Sequence, residues 1–413
     1  MNIPYSPFAL VSMAILSDIS LILLYRENLL DNNKKLIFSY AFIVLAFTLR
    51  TMCLDHVTLD YTDFLSRWVQ HFRDNGGFSA LSDSIGNYNL PYLYFLALFS
   101  YLKIPDLYLI KLLSIIFDIV LAWACMKLCG TISYSKNKKL IVFLVVLLLP
   151  TVILNGSYWG QCDSIYVAFG VLSIWLALNN RPVLSVICIT LSFAFKLQAV
   201  FLMPVFFVLL LSGNIKLRHL PIFPITYIIT AIPAILAGRP FADTITLYFN
   251  QAGSIGDGLN YNSPSIFAFI NNEVNSDLFS KLGIIAAFLF ILIIYLWLIR
   301  KYNYITPEII LLTSALFCTS IPFLLPHMHD RYFLSADIFS CIIAVTFPKY
   351  FPMPILVSFA SLLGYHAYLK MTYLLPMHMG SCTIILVLYL LIAEIYLQFK
   401  DSFDNNLDFL YFE

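Results

Sequence analysis

Apolar residues run through this chain in long blocks that polar residues interrupt only at intervals. A block of about 20 apolar residues is what a membrane-crossing helix requires. Such blocks predict helices over roughly 8–25, 36–54, 107–129, 139–155, 164–179, 219–237, 279–299, 308–326, 332–348, 352–369 and 382–399. The stretch 183–212 is longer, but Lys196 interrupts it, so it reads as two short helices meeting at that lysine. Residues 91–103 make an apolar run too short to span. In 60–86, Phe64, Leu65, Trp68 and Phe72 recur at helical spacing before Asn75-Gly76-Gly77 breaks the pattern. That spacing predicts an amphipathic helix lying in the membrane interface. The 238–278 segment, with Asn260-Tyr261-Asn262-Ser263-Pro264, is rich in turn formers and reads as a loop able to cover a cleft. The expected fold is an all-α polytopic membrane protein of about 11–14 transmembrane or partly inserted helices. It is read as a single integral membrane domain over 1–413, with 55–90 a structured external loop and 401–413 a short cytoplasmic tail.

Composition agrees with the pattern. Of 413 residues, 61% are hydrophobic and 11% charged, whereas soluble domains carry about 25% charged residues. The 36 Phe and 26 Tyr fit a chain that meets lipid and its interfaces. A net charge of +1 gives no sign of a nucleic-acid or acidic partner. The eight cysteines fall mostly inside apolar runs without CxxC or Cys/His spacing, which suits small buried hydrophobes better than metal ligands or disulfides. Met1–Pro7 lacks the basic region of a cleavable signal peptide, so the first apolar run is expected to remain in the mature protein.

Orientation follows from the bias of Lys and Arg to the cytoplasmic side. Arg26/Lys34/Lys35, Lys136/Lys138/Lys139, Arg181, Lys216/Arg218 and Arg300/Lys301 mark five basic loops. If all are cytoplasmic, then 55–90, 156–163, 196–198, 238–278 and 327–331 share the external side. Only one crossing then fits between 55–90 and Lys136, which makes 107–129 the span and 91–103 a re-entrant or partly inserted segment; the alternative is that one basic loop breaks the rule and some islands face the other side.

The chemistry concentrates in four polar islands beside these runs. Pro326-His327-Met328-His329-Asp330-Arg331-Tyr332-Phe333 sets two histidines, an acid and an arginine between two apolar runs, where charge is expensive and marks function. Two histidines at i and i+2 with one acid fall short of a zinc ligand set, while Arg and His donors suit a phosphate. Lys196, with Gln198 two residues on, either snorkels to the interface or holds a phosphate. Trp159-Gly160-Gln161-Cys162-Asp163 places an aromatic, an amide and an acid at a helix junction. Asp60 and Asp63 open the first external loop, where a carboxylate near a hydroxyl can take its proton, although Asp55, Asp74 and Asp83 share that loop. No GxGxxG, Walker loop or soluble domain offers a nucleotide site, so an activated substrate has to arrive already in the membrane. No cofactor is required by the sequence, and a divalent cation has no ligand set to support it.

The order Asp60, Trp68, Gly76-Gly77, then Asn87-Tyr88-Asn89-Leu90-Pro91-Tyr92-Leu93-Tyr94, then Pro150, Tyr158 to Ser164, Lys196-Leu197-Gln198 and His327 to Phe333 resembles bacterial membrane mannosyltransferases related to the eukaryotic GPI mannosyltransferase II. These are glycosyltransferases of the GT-C fold, and the resemblance covers roughly 36–390. It implies a bacterial plasma-membrane enzyme that takes a mannose-like hexose from a polyprenyl-phosphate donor at the external face and passes it to a glycan, lipid or protein acceptor. Asp60 best matches the family's catalytic base, with Asp63 the second choice. The resemblance further places donor-phosphate contacts on Lys196, His327, His329 and Arg331, and substrate contacts on Trp159, Gln161, Asp163 and Gln198, with Tyr261 and Asn262 as additional candidates. Asp330 stands where the pattern has Glu, and Leu90 where it has a second Pro; neither removes a proposed catalytic group. The competing expectation is a polytopic transporter or a lipid or oligosaccharide flippase, which also uses interrupted helices and buried polar groups.

Overall fold

The computed structural model describes residues 7–86, 88–252, 258–270 and 275–411. Asn87 and parts of the expected 238–278 loop lie outside them. Helices dominate, in the order α1 (Pro7–Arg26), α2 (Asn33–Cys53), α3 (Ser66–Asp74), α4 (Leu90–Phe99), α5 (Asp106–Ser133), α6 (Lys136–Leu148) and α7 (Pro150–Ile153). They continue with α8 (Asp163–Leu178), α9 (Pro182–Phe195), α10 (Pro204–Leu211), α11 (Ile222–Leu236), α12 (Phe241–Ala252), α13 (Ser276–Arg300), α14 (Pro307–Leu324), α15 (Leu334–Thr346), α16 (Pro352–Leu369) and α17 (Met377–Tyr411). Among the described residues, seven helices are long and apolar enough to cross a membrane, or up to eight if the bent pair α6–α7 counts as one span. This is the architecture of a multi-pass helical membrane protein.

Several expected spans take a different form. The blocks at 164–179 and 332–348 become helices of 16 and 13 residues. At 1.5 Å per residue these reach about 24 and 20 Å, short of a hydrocarbon core of about 30 Å. The block at 139–155 bends by 45° at Leu149–Pro150, because proline removes a helical donor and clashes with the preceding turn. The tail expected from 401 continues α17 to Tyr411. Within the 238–278 loop, α12 is a helix that turn composition concealed. Pro240 precedes it, Asp243 sits in its first turn, and Thr244 and Tyr248 bury one face at i, i+4.

The chain divides into two compact units. The first comprises Met1–Trp175, Val183–Ala199 and Pro221–Ser254. In it α5 packs along α6, α1 against α2, and α3 against α4. The α3 helix buries Trp68, Val69 and Phe72 in a core shared with Leu81, Tyr92, Leu96, Ile110 and Phe195, while Phe64, expected on the same face, is half exposed. The apolar stripe read from sequence is therefore covered by protein. The second unit comprises Leu176–Pro182, Val200–Leu220 and Ile255–Glu413. There α14, α15, α16 and α17 pack in succession, α17 returns to α14, and α10 and α13 flank α14. Two short parallel strands, β1 (Asn260–Tyr261) and β2 (Met328–His329), pair with Tyr261 opposite His329.

Candidate functional site

In the first unit, the sequence islands at 60, 159–163 and 196 converge. A π-helical turn, Tyr61–Leu65, follows Asp60 immediately, and another, Leu154–Trp159, leads into Gly160. Such turns carry an extra residue per turn and recur at functional sites. Gly160 has φ 83°, a left-handed conformation that side chains resist. It reverses the chain so that Gln161 N–H donates to the Asn155 carbonyl at 2.9 Å. The fully buried Trp159 then points its indole at the acid of the first loop.

Asp60 Oδ2 accepts from Trp159 Nε1 at 2.8 Å and from Gln161 Nε2 at 2.5 Å. Gln161 Oε1 accepts from the Tyr88 hydroxyl at 3.0 Å and from Lys196 Nζ at 3.5 Å. Lys196 Nζ forms an ion pair with Asp163, whose other oxygen accepts from Asn155 Nδ2 at 2.8 Å. The Lys196 ammonium also lies 5.4 Å from the centre of the Tyr88 ring. One polar chain therefore runs Trp159–Asp60–Gln161–Lys196–Asp163–Asn155. Gln161, Asp163 and Lys196 are buried in it, and Asp60 is half-buried at its end. Charge-assisted bonds of this kind are the strong ones, and an ion pair in such surroundings needs its remaining bonds satisfied.

The same geometry separates the two candidate acids. Asp63 is exposed, 3.8 Å from Arg67 and bonded to Thr62, outside the chain that holds Asp60. Lys196 sits where α9 ends and a 3₁₀ turn, Leu197–Phe201, begins, the junction expected from sequence. Gln198 is buried within that turn. Lys196 has no acid near it in sequence; folding supplies Asp163 from 33 residues away.

In the second unit, the His327–Phe333 segment is built on the strand pair. His327 adopts φ 60°, its backbone N–H donating to the Leu259 carbonyl at 2.8 Å. Its ring uses both nitrogens within the protein, Nδ1 on the Gly258 carbonyl at 2.7 Å and Nε2 with Ser280 Oγ at 3.0 Å. His329 stacks on Tyr261 with ring centres 4.8 Å apart and lies 5.2 Å from Tyr332. Arg331 lies 3.5 Å from Asp330 and 5.8 Å from the Tyr332 ring centre. Asn262 accepts from the Tyr373 hydroxyl. Tyr261 and Asn262 thus brace the histidine segment. Among the described residues, no group of three or more His, Cys, Asp or Glu is placed to hold a metal ion.

Sequence reasoning passed over three charges buried in the first unit: Arg50, Lys111 and Asp118, each fully inaccessible. The signal was present. All three interrupt predicted spans, 36–54 and 107–129, and ionisable residues in such positions mark functional or structural networks. Tyr88 was visible only as a member of a longer motif, and its bond to Gln161 is a tertiary fact, as is the bond of Asn155 to Asp163.

No protein-family model matches this sequence, and no curated protein matches it.

Proposed function

We propose that this protein is an inverting glycosyltransferase that moves a mannose-like hexose from a polyprenyl-phosphate donor to an acceptor hydroxyl at the outer membrane face. The observation that carries the reading is the held carboxylate of Asp60, with the Trp159 indole and the Gln161 amide both donating to one oxygen. A general base has to be fixed within reach of the proton it removes, and two rigid donors fix this one. Asp63, exposed and paired with Arg67, lacks that support.

In the proposed step, the acceptor oxygen attacks the anomeric carbon as Asp60 takes its proton. The bond from that carbon to the phosphate oxygen breaks, and polyprenyl phosphate leaves with the electron pair. Attack opposite the leaving group inverts the configuration. Phosphate leaves readily, so no general acid is needed, and fixed cations supply the main stabilisation. In the first unit, Lys196 is the cation of the polar chain that holds Asp60, with Asp163 its counter-charge. In the second unit, Arg331 and His329 form a donor pair with the chemistry of phosphate recognition. His327 spends both ring nitrogens on Gly258 and Ser280.

The test is hexose transfer in proteoliposomes carrying labelled polyprenyl-phosphate sugars, with wild type beside Asp60→Asn. Transfer by wild type and none by the folded variant supports the assignment; equal transfer by both removes Asp60 from the role. One observation favours a second reading, transport: the buried Lys196–Asp163 pair sits at a helix break, as a transport site often does. Counterflow of the lipid-linked sugar without cleavage of its phosphate bond would favour that reading.

A further inference from the structure

One helix face touches both segments that meet at Asp60. On α5, Tyr108, Lys111, Ser114 and Asp118 recur at intervals of three, three and four, which places them on one side of the helix. All four are buried, Lys111, Ser114 and Asp118 completely. Each reaches a different part of the segments around the site. The Tyr108 hydroxyl donates to Asp55 Oδ1 at 2.6 Å, at the start of the segment that leads to Asp60. Lys111 Nζ donates to three backbone carbonyls, Cys53 at 2.8 Å, Leu54 at 3.0 Å and His56 at 2.7 Å. Ser114 Oγ donates to the Gln161 carbonyl at 2.7 Å. Asp118 accepts from Ser164 Oγ at 2.6 Å, one residue beyond Asp163, and from Arg50 of α2 at 2.9 Å.

The glycines confirm how closely the two segments lie on this face. A Cβ on Gly156 would meet Ser114 at 3.1 Å, and one on Gly160 would meet Ile110 and Lys111 at 3.8 and 3.9 Å. The side chain of Lys111 therefore fills the space under the Gly160 turn while its ammonium gathers the carbonyls at the end of α2. The Cys53 carbonyl ends α2, where a helix leaves its carbonyls without intrahelical partners, and a cation there also complements the helix dipole. Three carbonyls around one ammonium use all three of its donors.

We propose that Lys111, with Ser114 and Asp118, is a positioning device that sets the register between the 53–60 segment and the 159–163 turn, and so the separation of Asp60 from Gln161. Lys111 acts as a built-in cation, touching neither substrate nor Asp60. Its effect on sugar transfer rests on the function proposed above; its effect on geometry does not. A displacement of about 1 Å between a base and its partners is enough to cost about a hundredfold in rate.

The experiment separates the two. Purified full-length protein carrying 5-fluorotryptophan reports the Trp159 environment by ¹⁹F NMR, with the resonance assigned through Trp159→Phe. Lys111→Met keeps the stem and removes the cation; Ser114→Ala removes only the bond to Gln161; Ile116→Ala, on the exposed side of α5, is the control. The expected result is a shifted or broadened Trp159 signal in both stripe variants, with the control and the other four tryptophans unmoved. In the transfer assay, kcat falls by about a hundredfold for Lys111→Met with KM nearly unchanged, and Lys111→Arg recovers part of it. An unmoved Trp159 signal in folded Lys111→Met overturns the proposal, whatever the activity. If Lys111→Met fails to fold, the Ser114→Ala signal decides. Should wild type transfer no sugar, the proposed function falls, while the ¹⁹F result still judges the positioning role.

Discussion

The Arg50–Asp118 pair allows a quantitative test that needs no substrate. Both side chains are fully inaccessible, and Asp118 Oδ2 accepts from Arg50 Nε at 3.1 Å and Nη2 at 2.9 Å. Its other oxygen accepts from Ser164. Removing one partner of a buried pair strands the other charge, at a cost of about 3–5 kcal/mol. The two single variants should differ. In Asp118→Leu, Arg50 keeps the carbonyls of Leu147 at 2.8 Å and Ala46 at 3.2 Å, which places this variant near the lower end, about 3 kcal/mol. In Arg50→Leu, Asp118 keeps only Ser164 among these partners, which places it nearer about 5 kcal/mol. The double variant Arg50→Leu/Asp118→Leu strands no charge and should return to within about 1 kcal/mol of wild type, or exceed it. The assay is equilibrium unfolding in mixed micelles at increasing SDS fraction, followed by tryptophan fluorescence. Lys281→Ala, which breaks a largely exposed pair with Asp277, serves as the control. A coupling energy below about 0.5 kcal/mol from the cycle would refute the reasoning, because independent sites add within that margin.

Three further outcomes follow from the first unit. Gly86 has φ 64°, and a Cβ there would meet the Trp68 indole at 2.5 Å, so Gly86→Ala should cost about 1–3 kcal/mol and speed proteolysis within 75–88; unchanged cleavage would show that Trp68 gives way freely. The hydrogen bond from His71, helped by Ser82, holds the Asp83 carboxyl below its usual value of 3.8. A depressed carboxylate stabilises the fold above its unfolded pKa, and that contribution is lost as pH falls through the lowered folded value. Pepsin cleavage of the loop should therefore rise more steeply below pH 3.8 in wild type than in His71→Phe, and identical profiles would contradict the pairing. Breaking the Lys196–Asp163 pair with Lys196→Met or Asp163→Asn should abolish transfer in either variant. The double variant should regain stability without regaining transfer, which distinguishes a working pair from a structural staple.

Much of the fold was legible in the pattern. Long apolar blocks demand helices because lipid offers backbone groups no partner, and seven of the described helices have the required length and composition. The Lys196 interruption was equally visible, since a charge and a helix end coincide there. Local signals misled where composition masked periodicity. The turn formers that made 238–278 read as a loop hid α12. The even spacing of Phe64 with Leu65, Trp68 and Phe72 did not reveal that a π-helical turn rotates Phe64 outward.

By itself, the sequence determined a polytopic helical chain and nominated polar islands, because hydropathy and charge act locally along the backbone. Tertiary structure gave the two acids different surroundings, since the partners of Asp60 lie about a hundred residues away, at Trp159 and Gln161, while Asp63 meets its neighbours Thr62 and Arg67. It also gave partners to Arg50, Lys111 and Asp118, unexplained charges inside apolar runs: Arg50 pairs with Asp118, and Lys111 with backbone carbonyls. The physical reason is the same throughout: a buried charge is tolerated only with partners, and no rule of spacing along the chain says which distant carbonyl or carboxylate will arrive.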